Sequence, residues 1–476
     1  MIYDVAVIGG GVVGGLIARE LTKYDQSVVI VEAKADVGGQ ASSANSGIVH
    51  AGFDAKAGSL KAHYNVRGNA MMEGVCKELG VKFIRNTSLV LGYDEEERAT
   101  LHELVERGKA NGVPGLSVIS GDEVRAREPE VSDDVTCALL AETGGIVCPH
   151  TLTIQAVGNA MDNGATLVTD FAVTGAARDA DSVFTLASDK GEIKARYVVN
   201  ACGLGSGKLA ELLGHKGIEI GARRGEYVLL DRGAMNVKAT LFRCPGKGGK
   251  GVLVSPTADG NIILGPTADE IENGATNATT QAGLAFVMER SAGMVKRIPR
   301  DKIITSFSGT RAYSSVHDFI IGESDQVKNL FNVAGVESPG LTSSPAIAVD
   351  VAEAVSKALG TQKRTDFNPI RRSYDFFKEA SVKEKNAIIA SDPEFGQIVC
   401  RCEVVTAGEI RNAIRTNPPA RTTDGVKRRV RAGMGRCQSG FCLASTIELI
   451  AKECGIEMSD VTKKGKGSEH VYGQLK

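Results

Sequence analysis

The chain has 476 residues, 42% of them apolar and 24% charged, with a net charge of −1. That length allows two or three domains with sizeable cores, and the near-neutral balance names no polyanionic partner. With no Trp and only 5% aromatic residues, platforms for stacking bases are not expected, nor nucleic acid as a partner. The apolar stretch Val5 to Ala18 is Gly-rich, too short to span a bilayer and without a basic leader. A cytoplasmic location is therefore expected, with no transmembrane segment and only peripheral membrane contact left open. In that compartment the ten cysteines stay reduced, and clustered ones suit metal binding.

In chain order, residues 3–8 (Y-D-V-A-V-I) read as a buried parallel strand, followed by a turn at Gly9–Gly11 and a helix to about Tyr24. Val28 to Val31 forms a second strand that ends at Glu32, completing a βαβ unit. Gly9-x-Gly11-x-x-Gly14 thus follows a strand and opens a helix. The first glycine makes the turn, the second admits a pyrophosphate, and the third lets helix and strand pack. The helix N-terminus favours the phosphate charge, and Glu32 can accept from ribose hydroxyls. Later strands, Tyr197–Asn200 running into Ala201-Cys202-Gly203 and Leu330–Val333 running into Ala334-Gly335, read as returns to the same sheet. Between them, Glu226–Leu230, Gly251–Ser255 and Asn261–Leu264 alternate in the manner of an inserted antiparallel sheet. A helix from Pro345 to about Leu359 closes the main body. The basic, Pro-punctuated stretch 360–372 marks a boundary.

Beyond it, Thr406-Ala407-Gly408-Glu409 reads as a capping box opening a helix that stops before Asn417-Pro418-Pro419. A second helix begins at Cys442 and ends near Cys454-Gly455. Cys400, Cys402, Cys437 and Cys442 read C-x-C, thirty-four residues, then C-x₄-C. Zinc sites usually pair ligands as C-x₂₋₄-C, a poor match to C-x-C, so the set favours a [2Fe–2S] cluster over zinc or free thiols. A cluster that takes electrons singly needs a donor able to split a pair, which favours FAD over a nicotinamide in the dinucleotide site. Six Arg or Lys in 421–436 against the single Asp424 read either as a solvated loop or as a stretch that tunes the cluster or docks an electron-transfer partner.

Past Glu32 and Ala33, the run Gly38-Gly39-Gln40-Ala41-Ser42-Ser43 leads into N-S-G-I-V-H-A-G at 45–52. With R-R-G-E-Y-V (223–228), G-K-G-V-L-V-S-P (249–256), L-G-P-T-A (264–268), F-S-G-T-R (307–311), D-F-I-I (318–321) and E-S-P-G-L-T-S-S-P-A (337–346), it resembles a known family. These motifs are similar to those of FAD-dependent glycerol-3-phosphate oxidases and dehydrogenases of the D-amino-acid-oxidase/glycine-oxidase fold, over roughly residues 1–360. From about 395 to 455 the chain resembles bacterioferritin-associated-ferredoxin-like [2Fe–2S] domains, as appended to the large subunit of the anaerobic enzyme. The fold class expected is α/β: a Rossmann-like FAD-binding domain, an inserted antiparallel substrate domain and a small, mainly helical cluster domain. The division is 1–365 for the oxidoreductase (FAD-binding about 1–85, 148–220 and 305–365; cap about 86–147 and 221–304). A linker at 366–394, the cluster domain at 395–460 and a flexible tail at 461–476 follow.

The resemblance implies that His50 is the catalytic base, that Ser46 positions the substrate, that Lys250 and Arg311 hold its anionic end, and that Ser338 lines the pocket. It implies flavin contacts from Gly9, Gly11, Gly14, Glu32, Ala33, Gln40, Ser42, Ser43, Val173, Ala201, Gly203, Gly335, Gly340, Leu341 and Thr342. Three positions depart from the family pattern: Ala312 where Pro is frequent, Cys148 where Asp is common, and Cys202 in place of Ala. The implied activity is oxidation of sn-glycerol 3-phosphate, a small anionic substrate, with electrons leaving through the cluster to a redox partner subunit. Two alternatives stand beside it: a 2-hydroxy acid dehydrogenase such as one for L-2-hydroxyglutarate, which shares N-S-G-I-V-H-A-G, and a non-catalytic flavin/iron–sulfur electron carrier.

Overall fold

Val5, Ala6 and Val7 have no exposed surface, because the first strand, Ile2–Ile8, runs through the middle of a sheet. The computed structural model describes residues 1–246, 251–272, 274 and 277–473. Ile2–Ile8 lies parallel to Val28–Val31 on one side and to Gly191–Asn200 on the other. Thr166–Val168 and Leu330–Ala334 extend the parallel set at its two sides. An antiparallel meander, Gly175–Arg178, Phe184–Ser188 and Gly191–Asn200, completes the sheet apart from Ile320–Glu323. The helices Val12–Leu21, Pro149–Asp162 and Gly340–Leu359 cover one face with Leu16, Ile17, Ile154, Ile347 and Val351.

Among the described residues the second sheet has nine strands, and the long pair Ile220–Leu230 and Ile303–Ser314 is antiparallel. The expected antiparallel character is broken at one place: Thr240–Arg243 runs parallel to Ser88–Gly92, joining the cap's two chain segments. The helix expected to begin at Pro345 begins five residues earlier, at Gly340. Proline cannot donate to the carbonyl of Leu341, but the neighbouring Ser344 hydroxyl does so at 2.7 Å, so the helix runs through the proline.

The C-terminal domain carries its predicted signals. The Thr406–Glu409 capping box opens Ala407–Arg415, and Leu443–Cys454 ends on Gly455 in a left-handed conformation. This domain does not hang free. Ile410, Ile414, Val426, Val430, Ile447 and Ile450 belong to the same apolar core as Leu16, Val28 and Ile347. The basic stretch is not the solvated loop of the first sequence reading. Thr423–Val430 is a helix, and its arginines are bound to the rest of the protein. Arg429 donates to Asp36 from Nη1 (2.8 Å) and Nη2 (3.0 Å), and Arg428 adds a third contact at 2.9 Å. Arg431 pairs with Asp259 (2.6 Å) and Glu403 (2.8 Å), while Arg436 pairs with Asp231.

The stretch read as a linker also packs: Arg371 donates to the Asn417 carbonyl at 2.6 Å, and Tyr374 is buried. Residues read as a flexible tail are anchored as far as the pairing of Thr462 with Glu469. Val461 is fully buried, and Thr423 and Asp424 donate their amides to Thr462 and Lys463.

Burial alone would raise the Asp36 carboxyl, but Arg429 and Arg428 outweigh it and hold the group below the usual carboxylate range. Its contribution is therefore present at neutral pH and is lost as pH falls through the depressed value, so the clamp loosens in acid. Arg429→Ala strands a buried carboxylate and is expected to destabilise the protein by about 3–5 kcal/mol, read from the midpoint of urea unfolding. The double change Asp36→Leu/Arg429→Met should lose much less. An Arg429→Ala midpoint equal to that of the parent would contradict this reading.

Candidate functional site

The dinucleotide cradle follows from steric limits on the first turn. Gly9 has φ +112°, and a Cβ there would stand 2.4 Å from the Ala201 carbonyl oxygen. At Gly14 a Cβ would come within 1.9 Å of the Gly9 carbonyl oxygen, so strand and helix meet only because both are glycines. The Glu32 carboxylate is fixed by two backbone amides: Gly10 donates to Oε2 at 2.8 Å and Lys34 to Oε1 at 2.9 Å. Burial raises its pKa, only partly offset by those amides. Ser42 Oγ accepts from Val12 N at 2.9 Å, which ties the 41–43 turn to the start of the Val12–Leu21 helix. No acidic side chain occupies that helix's first turn. Gln40 and Ser43 close the turn through the Ser43 amide and the Gln40 carbonyl, with Ala33 exposed at its edge. Phe171 N donates to the Glu32 carbonyl, which brings the segment holding Val173 against the same strand end. Ala201 N bonds the Ile8 carbonyl, and Cys202 Sγ donates to it at 3.3 Å; Gly203 and Gly335 both take positive φ. A fixed, half-buried carboxylate beside a glycine turn and an acid-free helix start fits an FAD adenosine and pyrophosphate.

Further along, His50 is held on its backbone by two helices. Its amide donates to Thr342 Oγ1 at 2.9 Å, and its carbonyl accepts from Asn65 (2.8 Å) and Asn69 (3.0 Å). Its Nε2 lies 3.3 Å from Ser338 Oγ, and its ring packs at 5.9 Å from that of Phe242. Asn65 and Asn69 went unread in the sequence, although two buried asparagines four apart on one helix are a detectable signal of an inward polar contact. Thr342 and Leu341 sit in the first turn of Gly340–Leu359, whereas the Gly340 amide is already given to the Glu337 carbonyl.

Arg311 lies opposite Arg223 on the long antiparallel pair. Its Nη2 donates to the Thr267 carbonyl at 3.0 Å, while its buried Nε has no hydrogen-bond partner among the described residues. A buried, unsatisfied guanidinium donor is costly and is well suited to an anion. Beside it, burial drives the Tyr227 hydroxyl up to about 12 despite the Arg311 charge. Tyr227 packs with Ile48, Leu253 and Ile263, and Phe242 borders that cluster, which links the Arg311 and His50 ends through apolar contacts. On the same strand a Cβ at Gly309 would meet the Ala44 carbonyl oxygen at 1.9 Å, so the strand carrying Arg311 presses against the loop carrying Ser46. Lys250 lies outside the described residues. At two departures, Ala312 is buried beside Arg311, and the Cys148 thiol contacts His150 Nε2 at 3.1 Å. Burial pushes that thiol up to about 12 and His150 down to about 3.

The four C-terminal cysteines stand as two pairs. Cys402 Sγ and Cys437 Sγ are 3.5 Å apart, and the buried Cys442 and Cys400 neighbour each other, the Cys400 thiol adding to the burial that raises the Cys442 pKa. Burial would raise the Cys437 thiol, but the Cys402 thiol and the amides of Phe441, Gly440 and Ser439 hold it below the usual thiol range. Among the described residues no three such side chains converge on a single ion. Pairs are what a two-iron cluster needs, each iron taking two protein ligands, and two thiolates on one tetrahedral metal stand roughly 3.8 Å apart at bond lengths of about 2.3 Å. The donor set therefore fits a [2Fe–2S] cluster.

Residues 4–354 match the family described as FAD dependent oxidoreductase, and residues 398–452 match the BFD-like [2Fe–2S] binding domain. The chain is 44% identical over its whole length to a glycerol 3-phosphate dehydrogenase of Caloramator mitchellensis, covering 99% of that protein. It is 28% identical to the human mitochondrial L-2-hydroxyglutarate dehydrogenase over 75% of the chain and 89% of the relative. Among solved structures, the dithionite-reduced L-alpha-glycerophosphate oxidase of Mycoplasma pneumoniae with FAD bound aligns with TM-score 0.74 at 29% identity, over 78% of this chain and 99% of that one. With both family matches in place, the chain belongs to the FAD-dependent oxidoreductases and carries a C-terminal [2Fe–2S] binding domain.

Proposed function

We propose that this enzyme oxidises sn-glycerol 3-phosphate to dihydroxyacetone phosphate and passes the electrons to a separate acceptor. The observation that carries the reading is Arg311, a half-buried cation whose buried Nε–H has no partner among the described residues, in a chain similar along its full length to a glycerol 3-phosphate dehydrogenase. When bound, the flavin supplies the acceptor for the substrate's hydride equivalent and the cluster a one-electron exit. His50 Nε2 takes the proton of the secondary hydroxyl, a task suited to neutral imidazole near pH 7. Ser338 steers the ring through its 3.3 Å contact, while Asn65 and Asn69 fix the backbone behind it. Arg311 binds the anionic end of the substrate, with Ser46 and Lys250 as further contacts. The FAD-contacting residues named above, the four cysteine ligands and the domain division belong to the same reading. No described helix is long and apolar enough to cross a membrane.

A second reading, oxidation of a 2-hydroxy acid, is favoured by the similarity to L-2-hydroxyglutarate dehydrogenase, since Arg311 serves a carboxylate as well as a phosphate. Anaerobic addition of each substrate separates the two. Glycerol 3-phosphate is expected to bleach the flavin and L-2-hydroxyglutarate to leave it oxidised; the reverse outcome would overturn the assignment. His50→Ala should lower turnover by about 10²–10⁴-fold with FAD retained, whereas an electron carrier would be unaffected. Arg311→Ala should cost about 1.5–3 kcal/mol in kcat/KM, mostly through KM, and unchanged kinetics would remove Arg311 from the site.

A further inference from the structure

Where the Cys402 edge of the cysteine cluster meets solvent, the surface has an unusual composition. Phe441, between ligands Cys437 and Cys442, is 87% exposed, second only to Met1 among the large apolar side chains described. Val404, two residues after Cys402, is 61% exposed and has φ +56°, a left-handed conformation that strains a β-branched residue. Neither burial nor backbone preference accounts for these two side chains. Cys402 itself is exposed, whereas Cys400 and Cys442 are buried, so the cluster site opens on one side. Two cations adjoin the ligands in the chain: Arg401, exposed between Cys400 and Cys402, and Arg436, exposed next to Cys437 and paired with Asp231. Across 398–404 and 433–445 the single acid is Glu403, buried and paired with Arg232 and Arg431.

We propose that Phe441, Val404 and Arg401 form the docking face for an acidic one-electron carrier protein, an inference that rests on reading the cluster as the electron exit. Apolar contact at the centre with positive charge at the rim matches carriers that surround an apolar redox edge with acids. In each encounter the carrier takes one electron from the reduced cluster. Two carriers are reduced for each substrate oxidised, and the substrate's two protons leave to solvent.

The probe is plastocyanin, an acidic copper protein, with basic cytochrome c as its counterpart, both against the complete holoenzyme. Binding to oxidised enzyme is measured by calorimetry, and electron transfer by stopped flow after photochemical reduction of the enzyme, which bypasses substrate. Phe441→Ser and Arg401→Glu are expected to weaken plastocyanin binding and slow its reduction by about tenfold or more, with reduction of a small dye by glycerol 3-phosphate unchanged. Val404→Gly should keep or raise the melting temperature, since glycine suits that backbone, yet weaken plastocyanin binding. Raising salt should slow plastocyanin and not cytochrome c. The proposal is overturned if cytochrome c reacts as well as plastocyanin, if the variants bind plastocyanin like the parent, or if these residues serve instead to hold phosphatidylglycerol vesicles. Should glycerol 3-phosphate fail to reduce the dye while photoreduced enzyme still reduces plastocyanin through this face, the substrate reading falls and the docking face stands.

Discussion

The bidentate contact of Arg429 with Asp36 is the constraint on which the arrangement of the two redox domains depends. Asp36 lies four residues after Glu32, in the same loop that leads to Gly38, Gln40 and Ser42, so the loop that shapes the dinucleotide cradle also receives the cluster domain. The guanidinium is wholly buried, and its remaining donors go to the Pro418 and Gly425 carbonyls, so it is fully satisfied only with both domains in place. A buried ion pair of this kind contributes little net stability but penalises every arrangement that separates its members. That penalty, together with the shared apolar core, sets the position of the cysteine pairs relative to the cofactor site.

The same logic of polar groups fixed before a ligand arrives runs through the candidate site. Gly10 and Lys34 hold the Glu32 carboxylate, Thr342 with Asn65 and Asn69 holds the His50 backbone, and Arg311 keeps one donor free. Each is oriented by backbone or by short side chains on regular elements, which limits the reorganisation needed during reaction.

Local signals were legible in the sequence, and long-range ones were not. The glycine turn, the Thr406 capping box and the Gly455 stop depend on neighbours within a few positions, and the structure has them where the residues put them. The cysteine spacing names its chemistry because few centres accept four thiols in such pairs. By contrast, the basic run at 421–436 reads as solvated because its partners lie far off in sequence, Asp36 being 393 positions from Arg429. Residue pattern alone starts the helix at Pro345, which looks like a first-turn residue, whereas the resemblance already put Gly340, Leu341 and Thr342 at a helix N-terminus; the Ser344 hydroxyl takes the carbonyl that the missing proline amide leaves. The parallel junction of Thr240–Arg243 with Ser88–Gly92 carries no sequence mark, since pairing direction is set by connections and not by composition.

In the proposed function, substrate electrons enter at the flavin and leave through the cysteine-bound cluster. Rapid-freeze EPR after anaerobic mixing with glycerol 3-phosphate tests it most directly. A reduced [2Fe–2S] signal is expected to rise after the flavin absorbance falls, and to be lost in Cys437→Ser while the flavin still bleaches. A flavin that bleaches in the parent enzyme with its cluster remaining oxidised would contradict it.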